Sequence, residues 1–314
     1  MKKTTSLLLI LVLLSMVSYI WIFGLTDTPD SSIDSFSLDE NPVSETVPVS
    51  TSSPYLKMHV IDVGQGDSIL LEYNDTTILV DGGSRTSYPS LINYLENEGV
   101  TTIDYLIATH PHADHIGGFT YLMNAFDIEM YVDNQATHSS KTYANTMTSV
   151  RIKDIAYDTV VRGDSFVLSP NVSVSVLSPS LPLTEDLNED SIVLKATYDE
   201  IDFLLMGDAG HETESTLLVY ESLGTNSSMA IEDIEVLKVG HHGSYSATSN
   251  EFIEYIGPEI AILSLGADNS YGHPHQVVID TLNGFGLDIY RTDQDGTITV
   301  LTDGQSYRVE NENP

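Results

Sequence analysis

A chain of 314 residues, 41% of them hydrophobic, is long enough to bury one substantial core. Its 46 acidic residues outweigh 12 basic ones for a formal net charge of −34, which suits a salt-exposed surface and opposes polyanion binding by general attraction. The absence of cysteine excludes disulfides and thiolate metal ligands, so a metal here must be held by His, Asp, Asn or water.

Lys2 and Lys3 precede an uncharged apolar run, Leu7 to Leu25, close to the roughly 20 residues that a membrane-spanning helix needs. The run exceeds the apolar core of about 7–15 residues found in signal peptides, and no small-x-small cleavage site follows. Residues 1–25 are therefore expected to be an uncleaved anchor, with secretion after cleavage as the alternative. The positive-inside rule puts everything after them outside the cytoplasmic membrane. Residues 26–54 are rich in Ser, Thr, Pro and acids, with no Lys or Arg. Such a stretch buries too little apolar surface to offset ordering and reads as a tether.

Residues 55–314 carry the periodicities of one α/β domain. Strands are predicted at Met58–Val63, Ser68–Tyr73 and Thr77–Val80, and a buried strand at Tyr105–Thr109. Others are predicted at Val172–Leu177, Ile192–Thr197, Ile201–Met206, Ile234–Val239, Ile260–Leu265 and Thr297–Leu301. Helices are predicted at Ser90–Asn97, Gly117–Asn124, Glu212–Glu221, Asn250–Ile256 and His275–Asn283.

The strand Tyr105–Thr109 runs into His110-Pro111-His112-Ala113-Asp114-His115, then Gly117-Gly118. Three imidazoles and a carboxylate at a strand's carboxyl end sit where active sites of open α/β sheets form. That donor set suits zinc, manganese or iron, and its close spacing can serve two neighbouring ions. No Gly-x-Ser-x-Gly or Walker pattern offers competing chemistry.

His-x-His-x-Asp-His resembles the metal motif of the metallo-β-lactamase superfamily. Asp62–Ser68, Leu79–Gly83, Met206-Gly207-Asp208, Lys238–Ser244 and Tyr271–His275 narrow the resemblance to the ComEC-like branch of DNA-uptake proteins. It runs from about Lys57 to about Val300 and implies a four-layer αββα sandwich with the metal site along one edge of the sheets.

The resemblance also implies roles. His110 and His112 would hold one ion, Asp114 and His115 the second, and Asp208 would bridge them. His241 matches the last histidine of the second ion, with His242 as the alternative. A third histidine on the first ion is missing, His138 lying too early in the chain; Asn188, in Asn188-Glu189-Asp190-Ser191, stands at that position. An amide oxygen is a weaker zinc ligand than imidazole, which favours a harder ion such as manganese at that site. One or two divalent ions, zinc or manganese, are the expected cofactor.

Asp81, before Gly82-Gly83, is expected to tie the metal loop in place, and Asp67, Lys141 and Ser191 to contact substrate. Asp114, Asp208 and His273 are the expected catalytic residues, His273 near the leaving-group oxygen. The reaction implied is hydrolysis of a phosphodiester, with DNA as substrate. Two alternatives stay open: a small-molecule ester, lactone or β-lactam hydrolase, and a non-catalytic nucleic-acid or surface-partner module.

Overall fold

A computed structural model of the chain describes residues 54–313. The segment 1–25 and all but the last residue of the stretch 26–54 lie outside the described residues. Among the described residues no helix is long and apolar enough to cross a membrane.

Two mixed sheets face each other. The first has the order β15-β14-β1-β2-β3-β4-β5-β6, with β1 Leu56–Val60, β2 Ile69–Tyr73, β3 Thr76–Val80, β4 Thr102–Ile107, β5 Asp127–Asp133, β6 Ala156–Thr159, β14 Ile298–Thr302 and β15 Tyr307–Asn311. The second has the order β13-β12-β11-β10-β9-β8-β7, with β7 Ser165–Ser169, β8 Val172–Ser178, β9 Val193–Tyr198, β10 Ile201–Leu205, β11 Val236–Lys238, β12 Ile260–Leu263 and β13 Asp288–Arg291. The chain thus builds the first sheet, crosses to the second, and returns with β14 pairing antiparallel to β1.

Alternation along the strands decides the layering. Leu56, Met58 and Val60 of β1, Val172, Val174 and Val176 of β8, and Phe203 and Leu205 of β10 share one core between the sheets. The opposite faces carry Leu70 and Leu79 in one outer core and Val193 and Leu204 in the other. The first outer core takes up α1 Tyr88–Asn97, α2 Ala113–Ile116, α3 Phe119–Ala125 and α4 Lys141–Ile152. The second takes up residues of α5 His211–Ser222, α6 Asn250–Ile256 and α7 Gln276–Gly284. The result is the expected four-layer αββα sandwich.

The elements depart from expectation in detail. The helix expected over Gly117–Asn124 is two pieces, α2 and α3, separated at Gly117-Gly118. A Cβ on Gly117 would run into the Ala113 carbonyl and the Arg85 amide, so close backbone packing requires glycine there. A helix with no predicted counterpart, α4, starts in a polar stretch: Ser140 caps it, its hydroxyl accepting from Tyr143 N at 3.1 Å. A short helix, α8 Thr292–Asp295, precedes β14.

Candidate metal centre

The donors converge on the carboxyl ends of β4, β10 and β11. Beyond β4, the turn before α2 carries His110 and His112, and α2 itself carries Asp114 and His115. Asp208 follows β10, and His241 and His242 lie in the 3-10 turn Gly240–Gly243 after β11. Gly66, in the turn between β1 and β2, packs against this loop; a Cβ there would collide with the Asp114 carbonyl. Its φ of +131° also favours glycine.

Two donor groups form. In the first, His110 Nε2 lies 2.9 Å from His112 Nδ1 and 3.6 Å from Asp208 Oδ2. In the second, His242 Nε2 lies 3.7 Å from Asp114 Oδ2 and 3.4 Å from Asp208 Oδ1, while His115 Nε2 is 3.3 Å from that same Asp208 oxygen. Asp208 therefore presents one oxygen to each group. His115 Nε2, His242 Nε2 and Asp208 Oδ1 are all buried without a hydrogen-bond partner. Leaving three such atoms unpaired is costly unless a cation satisfies them. These buried His/Asp clusters are consistent with a dinuclear metal site.

The surrounding hydrogen bonds fix each ring. Asp81 accepts from Thr109 N at 2.9 Å and Thr109 Oγ1 at 2.7 Å, and its Oδ2 lies 2.7 Å from His115 Nδ1. That partner leaves His115 Nε2 free to face the cluster. His242 Nδ1 lies 2.9 Å from the Ser264 carbonyl, which orients its Nε2 inward in the same way. Asp67 Oδ1 is 3.3 Å from His242 Nδ1, and Asp67 Oδ2 accepts from Lys238 Nζ at 2.7 Å.

Charge states follow from these contacts. Burial, then the neighbouring His115, drives the His110 pKa well below its usual value, so His110 is neutral and can act as a ligand. Burial opposes the charged form of Asp208, but His115 and His242 outweigh it and hold the carboxyl well below the usual range. For His115, burial is likewise outweighed, by Asp208 and Asp81, and the pKa rises. Burial, with His242 and His241 adding to it, lowers His273 to about 4.

Several expectations need correction. His241 was expected beside Asp114 and His115, but His242 occupies that place. Consecutive left-handed residues, His241 at φ 48° and His242 at φ 54°, turn the two rings to different sides. His241 instead faces the first group, its Nε2 3.7 Å from Asp208 Oδ2 and 3.5 Å from Asn188 Nδ2, with the side chain 25% exposed. Asn188 Oδ1 is buried and unpaired beside it.

Ser191 was expected to touch substrate and is fully buried behind the site. It accepts from Asp208 N at 3.2 Å and lies 3.4 Å from His110 Nδ1. Asp67 is equally inaccessible, because buried Lys238 claims it.

His273 reaches the rim, its ring centroid 5.7 Å from His241 and 6.2 Å from His242. Lys141 belongs to neither donor group and is exposed at the start of α4. His138, set aside on sequence position, lies at the rim with its ring centroid 5.7 Å from His112. The long loop between β5 and α4 carries it there, and no local pattern marks such a long-range approach.

Residues 61–267 match the family described as the metallo-beta-lactamase superfamily. The chain belongs to that superfamily and is related to the ComEC/ComA competence proteins. It is 32% identical over 261 residues to ComE operon protein 3 of Bacillus subtilis, covering 77% of this chain and 32% of that protein. It thus spans about a third of that relative's length. Exodeoxyribonuclease WalJ of Streptococcus pneumoniae is 25% identical over 181 residues, covering 56% of this chain and 62% of that protein. Among solved structures, the metallo-beta-lactamase fold protein YhfI from Bacillus subtilis aligns with a TM-score of 0.53 at 14% identity, covering 79% of this chain and all of that one; this is a likeness of fold alone.

Proposed function

We propose that this member of the metallo-β-lactamase superfamily is a metal-dependent phosphodiesterase that hydrolyses DNA outside the cytoplasmic membrane, tethered there through residues 1–54. The observation that carries the reading is the pair of donor groups, His110/His112 and Asp114/His115/His242, joined through the two oxygens of Asp208. The similarity to a protein named as an exodeoxyribonuclease, and to competence proteins, directs the choice of substrate.

Divalent ions in such a site supply hydroxide near neutral pH and counter-charge for a phosphate. The protein's part is to hold that chemistry in place. Asp81 and Ser264 fix the tautomers of His115 and His242 through Nδ1, so that neither ring needs to reorganise during turnover. Asp208, kept ionised by its imidazole neighbours, would supply one oxygen to each donor group and offset the charge of ions held there. His273, neutral at pH 7, is placed at the rim to orient a phosphate oxygen or the leaving group through a ring N–H. Zinc suits the imidazole-rich donors, and the Asn188 amide beside the first group favours manganese there.

The test is hydrolysis of labelled single- and double-stranded DNA by metal-stripped protein given manganese, zinc or magnesium. Cleavage that depends on added metal is expected. Turnover of a lactone or β-lactam with no action on DNA or a nitrophenyl phosphodiester overturns the reading. For location, protease added to intact cells should release an active fragment by cutting within residues 26–54; a protected, cytosolic protein overturns the tether.

A further inference from the structure

Positive charge in this acidic domain is sparse, and most of it is already committed. Lys57, Lys195, Lys238, Arg291 and Arg308 are each paired with a carboxylate. Arg162 lies over the Tyr220 ring, 3.9 Å from its centroid. Arg151 and Lys153 are at the carboxyl end of α4, where cations complement the helix dipole. Arg85 and Lys141 remain, with no acidic partner among the described residues, and both line one groove together with Gly117, Thr120, Thr142 and Asn145.

That groove gathers three sources of positive potential. Arg85 is held by its Nε donating to Tyr121 Oη at 2.9 Å, and the Tyr121 ring is stacked on Tyr88 at 3.8 Å between centroids. The guanidinium is thereby fixed while its terminal nitrogens stay available. Lys141 is the first residue of α4, so a cation sits where the dipole of a 12-residue helix disfavours one. No carboxylate lines the groove to offset this arrangement. Two cations and a helix amino terminus facing one space repel one another unless an anion lies between them. Hydroxyls of Thr120 and Thr142 and the Asn145 amide add hydrogen-bonding capacity for such an anion.

The groove borders the chain segment that carries Asp114 and His115. Gly117 lines it two residues after His115, and Gly117 packs directly on the Arg85 backbone. We propose that the Arg85–Lys141 groove binds a backbone phosphate of single-stranded nucleic acid next to the bond presented at the metal centre. This rests on the phosphodiesterase reading and gives it a site that grips the strand beyond the reacting phosphate. Direct contact with the phosphate would make the two residues binding residues, outside the metal cluster.

The experiment uses the full-length chain and a fluorescent thymidine oligonucleotide, with binding followed by anisotropy in EDTA so that no cleavage intervenes. Arg85→Ala/Lys141→Ala should bind at least about fivefold more weakly than wild type at low salt, with a shallower salt dependence. Arg85→Lys/Lys141→Arg, which keeps both charges, should retain most of the binding, and so should Lys57→Ala on β1. Binding by the double alanine variant within about twofold of wild type overturns the proposal, as does a wild-type protein that binds no oligonucleotide. Turnover of labelled DNA and of bis(p-nitrophenyl) phosphate by metal-loaded wild type tests the phosphodiesterase reading separately, which fails only if neither is cleaved. Failure there with a groove-dependent loss of binding leaves the groove standing and removes the reading.

Discussion

Lys238 Nζ lies 2.7 Å from Asp67 Oδ2 with both side chains out of reach of solvent. Lys238 ends β11 just before the His241-His242 turn, and Asp67 precedes β2, so the pair clamps the two sheets together behind His242. Removing one partner of a buried ion pair leaves an uncompensated charge, which typically costs about 3–5 kcal/mol. Lys238→Met is expected to lose stability on that scale in chemical denaturation. Adding Asp67→Asn should restore part of it. A single substitution that shifts stability by less than about 1 kcal/mol would contradict the clamp.

Metal should stabilise the fold as well as activate it, because the unpaired atoms of His115, His242 and Asp208 gain partners only when a cation is present. A ligand at about 100 times its Kd adds about 2.7 kcal/mol. The thermal midpoint of stripped protein should therefore rise with added manganese or zinc. Asp208→Asn should abolish most of that rise, since Asp208 serves both groups. An unchanged midpoint in wild type across both metals would count against the centre.

The two adjacent histidines should separate in their effects. His242→Ala removes a donor of the Asp114/His115 group, and the protein should lose about one bound ion. Its turnover should fall by more than the roughly 10–100-fold that follows loss of a supporting residue. Asp114→Ala and His115→Ala should behave alike. His241→Ala, at the first group and partly exposed, should retain the second group's metal, as metal analysis of the purified variants would show. Equal loss of metal in both histidine variants would argue against the division.

How much of this was legible in the sequence follows from which interactions are local. His110–His115 is readable because its donors share one turn, and Asp208 because it ends an apolar strand. The αββα layering follows the alternation of strands such as Val172, Val174 and Val176. The assignment between His241 and His242 was not readable, because it depends on two left-handed backbone conformations that non-glycine residues rarely adopt. The buried roles of Ser191 and Asp67 depend on partners far along the chain, His110 and Lys238. α4 escaped notice because Thr, Asn and Ser dilute its apolar face, and only Ser140 marks its start.

A pH effect is expected away from the metal centre. Burial would raise the Glu72 pKa, but His59, 2.9 Å away, and Lys57, 3.5 Å away, outweigh it and lower it below 4.5. A depressed folded-state pKa contributes stability that is present above the unfolded value and lost as pH falls through the folded one. Glu72→Gln should therefore flatten the loss of stability below about pH 4.5 relative to wild type, as urea midpoints across roughly pH 3–6 would show. An identical slope in both proteins would remove Glu72 from the acid response.

The last expectation concerns salt. Lys238 is buried against Asp67 and Arg291 pairs with Asp293 at 2.7 Å, so neither cation is free to attract substrate. Near the site, attraction for a polyanion is therefore left to the metal centre and to the Arg85–Lys141 groove, against the repulsion of a chain carrying a net charge of −34. Added salt weakens the groove's attraction, with a slope of about 0.7 per phosphate contact on single strands. It also screens the distant repulsion, since the Debye length shrinks to about 3 Å at 1 M. The two effects oppose each other, so DNA cleavage should hold steady or rise between roughly 0.05 and 1 M salt, where an enzyme relying on many basic contacts would lose activity. In Arg85→Ala/Lys141→Ala the groove's share of the salt-weakened attraction is gone, and cleavage should rise more steeply with salt from a lower start. A steep fall in both proteins would mean that attraction comes from charges elsewhere on the chain.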